Sequence, residues 1–191
     1  LNGKLSWAAR EGMPQGSGDA CILASKMPEP QVEDLQEANA ALRRRFAHDL
    51  PIKICSIPLE RLRLAAFADA SLGNAGAGKS QFAHMICAVG KSFHEGKDAD
   101  IGILTYNSHK MSRAGSATLL VEPNASSEAP AGCEWVASWS GLAKDLTYDL
   151  RKRDTLNREF NVGTVMNEKD TDLSMAAICD AKSLYGNLIR D

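Results

Sequence analysis

The chain has 191 residues, with 22 Lys and Arg against 24 Asp and Glu, a formal charge of −2 and 44% hydrophobic content. That length holds one domain with an appendage or one larger domain, and the apolar content supports a packed core rather than disorder. The charge balance excludes a generally basic surface for nucleic acid, leaving local clusters at Arg43–Arg45, at Lys110 with Arg113, and at Arg151–Arg153. Each of these reads first as solvated surface.

Five single cysteines, Cys21, Cys55, Cys87, Cys133 and Cys179, contain no Cys-x-x-Cys pair. They indicate neither a zinc knuckle nor a disulfide framework. Cys87 and Cys179 sit in apolar runs and read as small core residues. No apolar run reaches bilayer-spanning length and no signal-peptide pattern is present. The expectation is an intracellular chain, cytoplasmic or nuclear, with no membrane partner. The start at Leu1 rather than Met points to a segment of something longer.

In chain order, residues 1–50 read as helical. Leu5, Ala8 and Ala9 supply one apolar face, a Gly/Pro/Ser break falls at Gly12–Asp19, and Ala20–Ser25 continues. Pro28 and Pro30 interrupt again. Val32–Phe46 then places Leu35, Ala38, Leu42 and Phe46 at helical spacing. Residues 51–61 form a linker with Pro51 and Pro58. Leu62–Ala70, Phe82–Val89, Ile101–Tyr106 and Leu173–Cys179 are strand candidates. Ala117–Leu146 reads as a helix with Trp135, Trp139 and Leu142 on one side, and Lys182–Arg190 as a short closing helix. The order predicts an α/β fold: a three-strand meander followed by a crossover.

Asp69 and Asp180 lie at strand ends, and Glu122 follows an apolar stretch on the long helix. Neighbouring strands would set both aspartates on one sheet edge, and a helix across that face would bring the glutamate beside them. Three clustered carboxylates repel unless divalent cations sit between them. An all-oxygen set suits Mg²⁺ or Mn²⁺, and two such ions hydrolyse phosphodiesters. Acids at strand ends are common, so spacing alone carries this weakly.

The runs Phe67–Ser71 (FADAS) and Lys79–Ile86 (KSQFAHMI) resemble the first strand and hairpin of ribonuclease H-like domains of the Ty1/copia retrotransposon type. Tyr106–Glu122 is similar to that family's third strand and S-x-K…R…S-T-x-x-A-E signature, and Cys179–Leu188 to its D-x-K-S-L-Y-D-x-L stretch. Upstream, residues 1–14 and Leu35–Arg45 resemble the end of the preceding reverse transcriptase. The resemblance implies a Pol polyprotein segment: a helical reverse transcriptase remnant (1–50), a linker (51–61) and a ribonuclease H-like mixed sheet with flanking helices (62–191), truncated at its C-terminus. It implies hydrolysis of RNA in RNA/DNA hybrids by two Mg²⁺ or Mn²⁺ ions on Asp69, Glu122 and Asp180. Ser71 and Ser183 would lie nearby, Trp135 would be core, and the remaining polyprotein would be a partner.

The chain departs from that pattern at several points. Pro123 follows Glu122 directly and Pro130 comes later, each costing roughly 3 kcal/mol inside a helix. A kink, or a helix beginning only at Glu122, is therefore expected. Met13-Pro14-Gln15 stands where Arg-Pro-Asp is usual. The fourth acid of the family has no counterpart before Asp191, and the polymerase aspartates are missing. These departures imply a decayed copy with little or no nuclease activity.

Two rival readings stand beside it. Gly73–Ser80 matches G-x-x-x-x-G-K-[ST], the phosphate loop of NTPases that bind ATP or GTP. That motif needs a long helix opening at the lysine, whereas the apolar segment after Ser80 reaches Gly90 within ten residues. The third reading is a catalytically silent module that still holds nucleic acid. His48, His84, His94 and His109 are scattered singly, and His84 reads as a packed or edge residue. Glu128, six residues from Glu122, falls on a different helix face.

Overall fold

The computed structural model describes residues 2–48, 50–74, 78–111, 118–144 and 175–179. Three helices come first: α1 (Asn2–Glu11), α2 (Ser17–Lys26) and α3 (Val32–Ala47), with a single 3-10 turn at Pro14–Gly16. Leu5 and Ala9 of α1, Ala20 and Leu23 of α2, and Ala38 and Ala41 of α3 form their shared core. The small alanines let α3 lie close. Its contact line therefore runs along Ala38, Ala41 and Leu42, and the expected Leu35 and Phe46 are exposed instead. The Asp34 carboxylate accepts the Gln31 N–H at 2.8 Å and caps the start of α3. Arg45 donates to Asp19 at 2.6 Å, tying α3 back to α2.

Four strands follow: β1 (Leu62–Ser71), β2 (Gln81–Gly90), β3 (Ile101–Lys110) and, after helix α4 (Thr118–Lys144), β4 (Met175–Cys179). The sheet order is β3-β2-β1-β4. β1 to β3 form an antiparallel meander, while β4 lies parallel to β1. A parallel neighbour requires a crossover connection, and α4 lies within it. The α/β expectation and the meander hold, and β3 runs four residues further than its expected end at Tyr106. The expected closing helix at Lys182–Arg190 lies outside the described residues.

Strand alternation divides the sheet into two faces. Leu64, Ala66 and Ala68 of β1, with Phe82 and Ile86 of β2, point toward α4 and meet Val121, Ala125, Ala129, Cys133 and Ala137. These five helix positions are spaced by four residues, so they make one continuous ridge of mostly small side chains. Ala65, Phe67, Met85, Cys87 and Val89 form the core of the opposite face. At one end of that face the N-terminal helices pack against the sheet.

α4 runs unbroken through Pro123 and Pro130. The expected late start at Glu122 does not occur. Burial of the five-residue ridge works against the cost of the two prolines, with about 1.5 kcal/mol or more from Val121 and about 0.8 kcal/mol from each alanine methyl. Among the described residues, no helix is long and apolar enough to cross a membrane.

Candidate active site: the Asp69 groove and the face beneath α4

Asp69 sits two residues before the end of β1 and pairs with Ala83 of β2. Alternation sends it to the same side as Ala65 and Phe67, away from α4. There it is exposed in a groove of about 530 Å³, with Phe67, Ser71, Met85, Ser108 and Ile178 among the lining residues. Ser17 and Gly18, at the start of α2, form the opposite wall. Gln81 holds that wall in place: its amide donates to the Gly18 carbonyl at 3.3 Å and to Ser108 Oγ at 2.7 Å. Tyr106 adds a second tie, donating its hydroxyl to the Arg10 carbonyl at 3.0 Å.

Sequence reasoning missed this wall. The signal was Gln81 itself, a polar residue heading an apolar strand and only 6% exposed in the structure. A buried amide needs partners, and here they come from the N-terminal helices and β3.

Asp180 lies outside the described residues, as does Ser183. The parallel register of β1 with β4 ends at Ala68 opposite Cys179. Those two residues immediately precede Asp69 and Asp180 in sequence. Ser71 ends β1 on the groove side.

Glu122 is 5% exposed, in the second turn of α4. The helix lies on the face opposite Asp69, so Asp69 and Glu122 belong to different sides of the sheet. This differs from the expected convergence across one face. The physical reason is the strand period of two: Ala68 and Ala70 face α4, which turns Asp69 the other way. Glu128 is exposed and does not share the Glu122 face. Among the described residues no group of three or more His, Cys, Asp or Glu is placed to hold a metal ion.

Trp135 is not core. It is 61% exposed, and its ring packs edge to face against that of Trp139, with centroids 5.7 Å apart. The inward ridge uses Cys133 and Ala137, and Trp135 falls between them on the outer side. Cys87 is buried as expected, and burial pushes its thiol up to about 11 and that of Cys133 to about 12. Neither is a thiolate nucleophile near neutral pH.

His84 packs beneath α4. Burial holds its pKa below the ordinary imidazole value; His109 acts in the same direction and Glu128 opposes. The His109 ring lies against Phe82, with centroids 3.8 Å apart.

The Gly73–Ser80 segment joins two antiparallel strands, and strand β2, not a helix, follows Ser80. Gly73 and Gly78 take φ of 71° and 69°, a left-handed backbone that glycine adopts without strain. Ser80 is fully buried, and its hydroxyl accepts the Gly73 N–H at 3.2 Å.

The described residues thus make an α/β protein with a four-stranded mixed sheet and an aspartate-bearing groove on one face. No family model, no curated protein and no solved structure matches it.

Proposed function

We propose that the chain is a ribonuclease H-like element of a retrotransposon reverse transcriptase polyprotein, a degenerate copy of a domain whose ancestral act is hydrolysis of the RNA strand of RNA/DNA hybrids. The observation that carries this reading is the parallel pairing of β1 with β4, whose last described partners, Ala68 and Cys179, directly precede Asp69 and Asp180. The antiparallel meander and crossover helix around that pair are compatible with a ribonuclease H-like sheet.

In this reading Asp69, Asp180 and Glu122 would hold two Mg²⁺ or Mn²⁺ ions, an assignment that fits the all-oxygen chemistry of the three carboxylates. When bound, the ions would supply an activated water and charge neutralisation at phosphorus. Asp69 stands open to a substrate in the groove, and Ser71 and Ser108 offer hydroxyl contacts to a phosphate or ribose. Glu122 stands on the α4 side and Asp69 on the other, so this reading requires the glutamate to reach the aspartates around the sheet end.

The separation of Asp69 and Glu122 onto two faces favours a second reading, the catalytically silent module that holds a hybrid without cutting it. One experiment separates the two. A labelled RNA/DNA hybrid is incubated with the chain in Mg²⁺ and in Mn²⁺, beside Asp69→Asn and Asp180→Asn chains. Cleavage that both substitutions abolish supports the nuclease. Salt-sensitive binding without cleavage selects the silent module. Neither cleavage nor binding sinks both readings.

A further inference from the structure

We propose that α3 pairs with α3 of a second copy of this chain, the two helices running antiparallel about a two-fold axis beside Asn39. Val32, Leu35, Asn39, Leu42 and Phe46 follow one another at steps of three, four, three and four residues. That is the spacing of a helix-pairing seam, and at about 100° per residue the five fall within about 80° of the helix circumference. The seam runs beside the inward line of Ala38 and Ala41 and shares only Leu42 with the core. Val32, Leu35 and Phe46 are 69%, 55% and 78% exposed. Apolar side chains left in water along one line mark an interaction surface. The seam spans two heptads, too short to pair as an isolated helix, so the pairing is weak and depends on the three-helix unit that holds α3.

The two ends of the seam select the occupant. At its N-terminal end Val32 and Leu35, with Leu23 of α2 and Met27, line an apolar groove of about 380 Å³. The charged residues of that groove, Lys26 and Asp34, are paired with each other at 3.0 Å, so it suits an apolar side chain. At the other end Phe46 stands out as a knob, about 16 Å along the axis from Leu35. A groove and a knob on one line fit a second copy turned end for end, because each Phe46 then enters the other copy's groove. Such a contact is isologous and closes at two chains. Asn39 is midway between Val32 and Phe46, so the axis passes beside it and each Asn39 amide meets its counterpart, as a polar residue in an apolar seam does when it fixes register. Gln36 and Arg43 border the seam on its open side, and both are exposed. The antiparallel arrangement sets each Arg43 near the other copy's Gln36 rather than near a like charge. A parallel copy would set Phe46 against Phe46 and leave both grooves empty. An unrelated apolar peptide would fill the groove and leave Phe46 in water.

Sedimentation equilibrium of the full chain between about 1 and 100 μM tests the pairing. A monomer–dimer equilibrium is expected within that range. Phe46→Ser and Leu35→Ser, each at an exposed position, should weaken dimerisation about tenfold or more and leave the helical circular dichroism unchanged. If one of these chains loses its helical signal, the other carries the test. Oxidative crosslinking reads the orientation: a mixture of Leu35→Cys and Phe46→Cys chains should give a mixed disulfide dimer in clear excess over what either chain gives alone. A chain that stays monomeric at about 100 μM overturns the proposal. So does a dimer that both serine substitutions leave intact, or crosslinking of each cysteine chain only to itself.

Discussion

Ala68 of β1 and Cys179 of β4 are the last described partners of a parallel pair, and each is followed in sequence by an aspartate. The described register therefore stops one residue short of an aspartate on each side of the pair. That relationship, rather than any local motif, links Asp69 to Asp180 and gives the nuclease reading its weight.

Asp69 is exposed and contributes no packing, so Asp69→Asn should leave thermal stability within about 0.5 kcal/mol. Hybrid cleavage should fall about a hundredfold or more, because a lost metal ligand costs at least as much as a lost outer partner. Melting curves and cleavage rates on the same preparation check both halves. A parallel loss of stability and activity would point to a structural role for Asp69.

Gly132 of α4 lies so close to the sheet that a Cβ built there would sit 2.4 Å from Ile86 Cδ1 and 3.6 Å from His84 Nε2. Gly132→Ala gains about 1 kcal/mol of helix propensity but presses a Cβ onto the fully buried Ile86, at a cost of about 1–3 kcal/mol. The expected net effect is destabilisation of about 1 kcal/mol. Ile86→Val removes the clashing methyl, so the double-mutant cycle should show favourable coupling between the two changes. Denaturant titration of the four chains measures it, and strict additivity would mean that α4 does not press on Ile86.

His84 titrates at a depressed pKa, chiefly because it is buried, with His109 adding to the shift. The unfolded chain therefore takes up a proton first. Stability is intact above the unfolded imidazole pKa of about 6.5 and falls as pH drops below it toward the folded value. His84→Gln should flatten the dependence of melting temperature on pH between about 7 and 5. An unchanged slope would assign the acid sensitivity to other groups.

Ser80 is buried just before a strand rather than at the start of a helix, and its hydroxyl accepts the Gly73 N–H. Ser80→Ala should cost about 1 kcal/mol, the net worth of one hydrogen bond to an amide that water can reach. Lys79→Ala should leave stability within about 0.5 kcal/mol, and neither ATP nor GTP should raise the melting temperature of the unaltered chain. A nucleotide-dependent rise that Lys79→Ala removes would restore the phosphate-loop reading.

The meander was legible in the sequence because its three apolar runs are bounded by glycine and charged turns, and strand period two is a strong signal. α4 was legible as a helix, but its buried face was not. The inward ridge of Ala125, Ala129, Cys133 and Ala137 is built from small residues whose apolar signal is weak beside two tryptophans. Trp135 therefore read as core, although close helix–sheet packing wants small side chains. Likewise, alternation along β1 separates Asp69 from Ala68, but which of the two faces receives α4 is decided by tertiary packing. The Gln81 tie is likewise long-range: its partner Gly18 is 63 residues away.

The most direct test of the central claim is the stoichiometry of Mn²⁺ binding, read from the electron paramagnetic resonance signal of free ion. The unaltered chain should bind about two ions. Asp69→Asn and Asp180→Asn should each reduce that number or weaken the affinity about tenfold or more. Mn²⁺ binding that is absent, or that is indifferent to both substitutions, would contradict a two-ion site built on these aspartates.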